Sequence, residues 1–144
     1  TTPGLRVFEK YAVACGGAIN HRFGLYDQVL IKDNHIEAAG GISNAVSAIR
    51  KKVSENKKIE VEVQSVEEVK EALESHVDII MLDNMVIDTM HQCITLIDGK
   101  AKTEISGGIT FDRLEEISTT GADFVSIGAL THSAPAVDIS MNIK

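Results

Sequence analysis

This chain of 144 residues has no tryptophan, only four Phe and two Tyr for aromatics, two prolines and two cysteines. Cys15 and Cys93 are far apart and form no C-x-x-C pair, which excludes a disulfide-stapled scaffold and leads us to expect a reduced, cytoplasmic protein. Basic residues are outnumbered, 14 against 21 acidic, for a formal charge of −7. A protein that spread nucleic acid over a broad face would be basic, so no nucleic-acid partner is expected. No run of about 18 apolar residues occurs, so no membrane span is expected. The opening Thr1-Thr2-Pro3-Gly4 has neither a basic start nor an apolar stretch behind it, so no signal peptide is expected either.

The composition that remains is that of a folded domain: 44% hydrophobic, 24% charged, mean hydropathy +0.04. A chain of this length can bury a core as one domain. Short β-branched runs alternate with amphipathic stretches. Pro3 precedes Leu5, Phe8, Ala12 and Val13, spaced as a helix face that stops at Gly16-Gly17. Gln28 to Lys32 reads as a strand, and Ile42, Ala45, Val46, Ile49 and Val53 recur at helical spacing. Lys58 to Gln64 alternates as a strand does, which puts Glu60 and Glu62 on one face. Ser65 with Glu68 reads as a capping box opening a helix with Val66, Val69, Ala72 and Leu73 inward. Ile79 to Leu82 is an apolar strand, Val86 to Ile97 a helix and Ala101 to Ile105 a strand. Thr110 is expected to cap a helix with Leu114 and Ile117 inward, Asp123 to Ile127 to form a strand, and Val137 to Met141 a last short one. Cys15 and Cys93 fall on helical stripes and are expected in the core.

About five strand–loop–helix units imply an α/β fold with a parallel sheet and right-handed crossovers. Two architectures compete. A doubly wound sheet of flavodoxin type suits 144 residues, whereas a complete (β/α) barrel takes about 250. In both, ligands bind beyond the carboxyl ends of the strands. Those ends carry Lys32, then Glu62 with Gln64, then Asp83, then Ser106-Gly107-Gly108, then Gly128-Ala129. Glycine turns leading toward helices offer backbone N–H groups to a phosphate, or merely permit tight turns. Carboxylates on successive strands can share a Mg²⁺ ion that also holds phosphate oxygens. His21, Arg22 and Lys32, with His35 close behind, form a cationic cluster in an acidic protein, suited to carboxylates or phosphate. His21 and His35 lack a third ligand at recognisable spacing, so no transition-metal site is expected there. His76, His91 and His132 read as surface or core histidines.

The run Asn20-His21-Arg22, Gly24-Leu25, Asp27 and Leu30 through Ile36 (LIKDNHI) closely resembles quinolinate phosphoribosyltransferase, the carboxylating nicotinate-nucleotide pyrophosphorylase. The resemblance continues in order through Glu60-Val61-Glu62-Val63, Met81 to Met85 (MLDNM), Ile105 to Ile109 (ISGGI) and Ser126 to Thr131 (SIGALT). It implies a TIM-like α/β barrel, with residues 1–144 its C-terminal portion: five βα units, without the first strand or the N-terminal domain. It also implies transfer of phosphoribosyl from phosphoribosyl pyrophosphate (PRPP) to quinolinate, giving nicotinate mononucleotide, pyrophosphate and CO₂ in NAD biosynthesis.

Carried over residue by residue, the resemblance gives His21, Arg22 and Lys32 to the quinolinate carboxylates, with Lys32 between the two substrates. Glu62 and Asp83 would meet the ribose hydroxyls and the Mg²⁺-bound pyrophosphate. Ser106, Gly107, Gly108, Gly128 and Ala129 would hold the 5′-phosphate. Lys32, Glu62 and Asp83 are then the catalytic set, Mg²⁺ the cofactor, and a homo-oligomer (dimer or hexamer) the full-length form. The family's basic pair ahead of Thr1 and its N-terminal domain, which lends an arginine to the partner subunit's site, lie outside this sequence, so the chain alone is expected to have little or no activity. Rival expectations are a related pyridine or base phosphoribosyltransferase, including molybdenum-associated paralogues, and a non-catalytic phosphate-ligand binding or assembly module.

Overall fold

A computed structural model describes residues 1–143, which divide into two compact units: residues 22–127, and residues 1–21 together with those from 128 onward. The larger unit holds one sheet. Its strands are β1 (Val29–Ile31), β2 (Ile59–Val63), β3 (Ile79–Asp83), β4 (Lys102–Ser106) and β5 (Phe124–Val125). All neighbours run parallel, and the spatial order is β1-β2-β3-β4-β5.

That order decides between the two architectures. A doubly wound sheet reverses direction and places its first strand inside, as in the order 2-1-3-4-5. A strictly sequential parallel order is the connectivity of a (β/α) barrel, of which these are five units. The crossovers are α2 (Asp33–Ala39) with α3 (Ile42–Arg50), then α4 (Val66–Glu74), α5 (Ile87–Ile97), and a 3₁₀ turn at Phe111–Arg113 leading into α6 (Leu114–Ser118).

Register separates the two faces of the sheet. Leu30 pairs with Glu60, Glu60 with Ile79, Glu62 with Met81, Met81 with Glu104 and Asp83 with Ser106. Paired residues on parallel strands point the same way, and alternation sends their neighbours to the other side. One face therefore carries Ile31, Ile59, Val61, Val63, Ile80, Leu82 and Ile105. These pack with Ile42, Val46, Val69, Ala72, Met90, Cys93, Ile97 and Ile117 of the helices in one continuous core. The opposite face carries Leu30, Glu60, Glu62, Ile79, Met81, Asp83, Lys102, Glu104 and Ser106. It is polar and buried at once: Glu60, Glu62 and Glu104 are all inaccessible or nearly so. The alternation of Lys58 to Gln64 thus marks a boundary between a helix layer and an acidic interior, and Glu60 is a buried carboxylate that accepts Gln28 Nε2 at 2.7 Å.

Local signals account for most boundaries. Ser65 Oγ accepts the Glu68 N–H at 3.2 Å and opens α4, while the Glu68 carboxylate reaches back one residue further than a capping box requires, to Gln64 N–H at 2.6 Å. Asp78 and Asp123, each just ahead of a strand, accept an N–H at the start of the preceding strand, from Ile59, the first residue of β2, at 2.8 Å and from Thr103, the second of β4, at 2.9 Å. Asp123 also takes Lys102 Nζ at 2.6 Å. Chiefly through that ammonium and the Thr103 amide, its carboxyl is held below its ordinary range.

The smaller unit contains α1 (Arg6–Cys15) and α7 (Ala129–His132), which pack on each other. Glu9 accepts the Thr2 N–H, Lys10 Nζ donates to the His21 carbonyl at 2.9 Å, and Asn20 Nδ2 donates to the Lys10 carbonyl at 2.8 Å. Four expectations are corrected here. The face of α1 marked by Leu5 and Phe8 is exposed, because the helix buries no residue. Cys15, on the same helix, is exposed rather than core, whereas Cys93 is buried as expected and its thiol is pushed up by that burial. Val137 to Met141 forms no strand: Val137, Ile139 and Met141 are all exposed. A strand needs a hydrogen-bonded neighbour, and among the described residues every strand belongs to the other unit. The helix expected from Thr110 begins instead as a 3₁₀ turn, with no bond from the Thr110 side chain.

Candidate active site

Within the larger unit, the carboxyl ends of the strands bring together Lys32, Glu62, Asp83, Ser106, Gly107 and Gly108. Lys32 follows directly on β1. Its ammonium crosses to β2 and donates to Glu62 Oε2 at 2.6 Å, the Lys32 side chain being 45% exposed and that of Glu62 only 10%. A nearly buried carboxylate is costly without a partner, so the lysine is held where it neutralises Glu62 while its free side stays open to a ligand.

The backbone at Lys32 is fixed by a device absent from the sequence expectations. Helix α2 starts there, and Lys32 N–H donates to His35 Nδ1 at 3.0 Å while His35 N–H donates to the Lys32 carbonyl at 2.8 Å. Because Nδ1 accepts, His35 carries its ring proton on Nε2 in this arrangement. His35 is thus a brace for Lys32, a role for which its three-residue spacing was the available signal.

Asp83 ends β3 on the face that carries Glu62, two residues beyond the Met81 that pairs with Glu62. Its Oδ2 accepts Asn84 Nδ2 at 2.7 Å. Ser106 lies opposite Asp83 on β4. Gly107 and Gly108 follow with φ of +92° and +58°, conformations that favour glycine. Gly107 has a second reason to be glycine, since a Cβ there would collide with the Asn84 side chain and come within 2.7 Å of Asn84 N. The helical segments after the turn are a three-residue 3₁₀ turn and the five-residue α6, too short to add much dipole; what the turn offers an anion is its own N–H groups.

Two further bonds tie the polar face across strands: Gln28 to Glu60, and Ser126 Oγ to Glu104 Oε1. Glu104 and Ser126 were not singled out from the sequence, although the parity of β4 marks Glu104 as facing the same way as Ser106.

Arg22 is half-buried at the head of a loop in which Asp27 accepts the Phe23 and Gly24 N–H groups at 2.6 and 3.0 Å. Those two amides, Phe23 first, hold the Asp27 carboxyl below its usual range. His21, Gly128 and Ala129 belong to the smaller unit. There the His21 carbonyl is anchored by Lys10, and Gly128 has φ −61°, which any residue adopts. Gly128 is crowded, however: a Cβ would lie 3.1 Å from His132 Nε2, so this histidine, read from the sequence as surface or core, lies over the Gly128 turn. Its Nδ1 is 2.7 Å from Ser133 Oγ.

The family model described as quinolinate phosphoribosyl transferase, C-terminal domain, matches residues 1–142. A Bacillus subtilis protein named "probable nicotinate-nucleotide pyrophosphorylase (carboxylating)" is 48% identical over 143 residues, covering 99% of this chain and 50% of the relative. The chloroplastic nicotinate-nucleotide pyrophosphorylase (carboxylating) of Arabidopsis thaliana is 44% identical over 161 residues, with 99% and 46% covered. The crystal structure of NadC from Streptococcus pyogenes superposes with a TM-score of 0.94 at 47% identity, covering 99% of this chain and 50% of that one. Mandelate oxidase, at 17% identity and a TM-score of 0.53, shares the fold alone. The chain spans about half the length of the curated relatives it matches.

Proposed function

This chain belongs to the quinolinate phosphoribosyl transferase family, in the part described as its C-terminal domain, and from that premise we propose that it carries most of the site for transfer of phosphoribosyl from PRPP to quinolinate, yielding nicotinate mononucleotide, pyrophosphate and CO₂. The observation that supports this reading most is the 2.6 Å contact of Lys32 with Glu62 at adjoining strand ends. It sets a cation for the substrate's carboxylates beside a carboxylate for the sugar.

The residue types suit the chemistry. As pyrophosphate leaves, C1 of the ribose gains positive charge, which Glu62 and Asp83 stabilise from fixed positions. Ribosylation makes the pyridine nitrogen cationic, and that charge stabilises the C2 carbanion left by CO₂, so no dedicated base is required. His21, Arg22 and Lys32 hold the two carboxylates of quinolinate. Ser106, Gly107 and Gly108, with Gly128 and Ala129, take the 5′-phosphate. Positioning and electrostatics then supply most of the rate.

Mg²⁺ is part of the same proposal. Glu62 and Asp83 offer hard carboxylate oxygens from neighbouring strands, and one oxygen of each already has a protein donor, Lys32 and Asn84 respectively. This fits an ion that takes only one or two carboxylates and otherwise holds water and phosphate oxygens. When bound it would offset the charge of the pyrophosphate.

A homo-oligomer (dimer or hexamer) and a cytoplasmic location complete the reading, the latter supported by the free thiols of Cys15 and Cys93. Among the described residues no helix is long and apolar enough to cross a membrane. The test is turnover of quinolinate with PRPP and Mg²⁺ by the full-length protein, alongside calorimetry with quinolinate, nicotinate and PRPP. Formation of nicotinate mononucleotide with release of CO₂ supports the proposal. Binding of nicotinate but not quinolinate assigns a related pyridine phosphoribosyltransferase instead.

A further inference from the structure

We propose that Asn84 is a positioning residue that joins the Asp83 carboxylate to the Ser106–Gly107 turn, so that two separate contacts of the PRPP site move as one. The inference rests on the reading of that site as the one for PRPP.

Three observations meet at this side chain. First, the ladder between β3 and β4 runs one step past Asp83 and Ser106, because Asn84 N–H donates to the Ser106 carbonyl at 3.0 Å. Secondly, Asn84 has φ +53°, a left-handed conformation that asparagine tolerates better than most residues. Its side chain turns back there, and Nδ2 donates to Asp83 Oδ2 at 2.7 Å. Thirdly, the amide oxygen occupies the space that a side chain at Gly107 would fill.

One amide group thus holds one oxygen of Asp83 and packs over the turn on the next strand. A carboxylate at a strand end would otherwise rotate freely about two bonds. With Oδ2 engaged its orientation is set before PRPP arrives, which is the preorganisation that electrostatic stabilisation requires. The residue choice is narrow. Glycine would satisfy the backbone but lose the bond, aspartate would keep the shape but lose the donor, and alanine would lose both.

The experiment measures PRPP affinity of the full-length protein by calorimetry with Mg²⁺, for wild type, Asn84→Gly, Asn84→Asp, Asp83→Ala and the double variant Asp83→Ala/Asn84→Gly. Glycine accepts the left-handed backbone, so Asn84→Gly is expected to melt as a folded protein yet bind PRPP about tenfold more weakly, the range of a hydrogen bond to a charged group. Asn84→Asp is expected to weaken binding as well. Because Asn84 acts in part through Asp83, the losses of the two single variants are expected not to multiply in the double variant. Losses that multiply in the double variant, or an Asn84→Asp protein that binds as wild type does, would leave Asn84 a mere space-filler and overturn the proposal. Wild-type turnover of quinolinate is scored separately: a protein that binds PRPP but ignores quinolinate sinks the substrate assignment while the affinities still judge Asn84. A wild type that binds no PRPP overturns both.

Discussion

Lys32 reaches from the end of one strand to Glu62 on the next, closing a 2.6 Å ion pair whose acidic member is nearly buried and whose basic member is half open. Lys32→Met in the full-length protein removes the neutralising charge together with a carboxylate ligand. A hydrogen bond to a charged group contributes roughly 1.5–3 kcal/mol, so kcat/KM for quinolinate should fall about tenfold to a hundredfold. Lys32→Arg should not rescue it, since a planar fork does not replace a point charge. Steady-state kinetics decide, and a fall of less than about fivefold would remove Lys32 from the site.

The two glycines after Ser106 should behave differently. At Gly107 a methyl group meets both the Asn84 side chain and its backbone nitrogen, at φ +92°. At Gly108 nothing lies within 4 Å, and only the φ of +58° opposes a side chain. Gly108→Ala should cost about 1 kcal/mol, and Gly107→Ala distinctly more, on the order of 2–3 kcal/mol. Urea unfolding of both variants would show the ranking, and equal losses would contradict the close approach of Asn84.

Asp123 should contribute to acid sensitivity. Its carboxyl is depressed in the folded chain by Lys102 and the Thr103 amide. That contribution is complete above the unfolded value of about 3.9 and disappears as pH falls through the lower folded value. Asp123→Asn should therefore be less stable than wild type at pH 7, by no more than about 1 kcal/mol for the partly exposed ion pair, with the gap narrowing below about pH 4. Urea midpoints taken down the pH range test this, and a gap that widens in acid would reverse the sign.

Ser65→Ala removes the oxygen that accepts the Glu68 N–H at the start of α4. The expected loss is about 1 kcal/mol, visible as a lower unfolding midpoint, with Ser65→Asp restoring it. A neutral alanine variant would mean that Glu68 bonding to Gln64 carries the helix start by itself.

The patterning of the chain made much of this fold legible. Strict alternation in residues 58–64 located Glu60 and Glu62 on one face, and Ser65 with Glu68 located α4, because each signal is written within a few neighbouring residues. What escaped depends on distant partners or on unusual caps. Helix α2 begins on Lys32 and His35 rather than on serine or aspartate, so only their three-residue spacing marked its start. The tail from Val137 alternates as a strand does, yet alternation describes a face and does not supply a partner. Strand order, which separates a barrel from a doubly wound sheet, is a non-local property that no local pattern contains. The importance of Asn84 comes from a backbone angle, and an asparagine after an aspartate does not disclose one.

The division of each strand between an apolar and a polar face has a consequence for change over time. On β2, Ile59, Val61 and Val63 answer only to the helices, and Glu60 and Glu62 only to the opposite side. Chemistry can therefore change at every second position, together with its polar partners, while the apolar set that packs on the helices stays the same. Loss or gain of a single residue inside the strand would instead exchange the two sets, driving both carboxylates into the helix layer. The strand tolerates revision letter by letter and forbids a shift of frame.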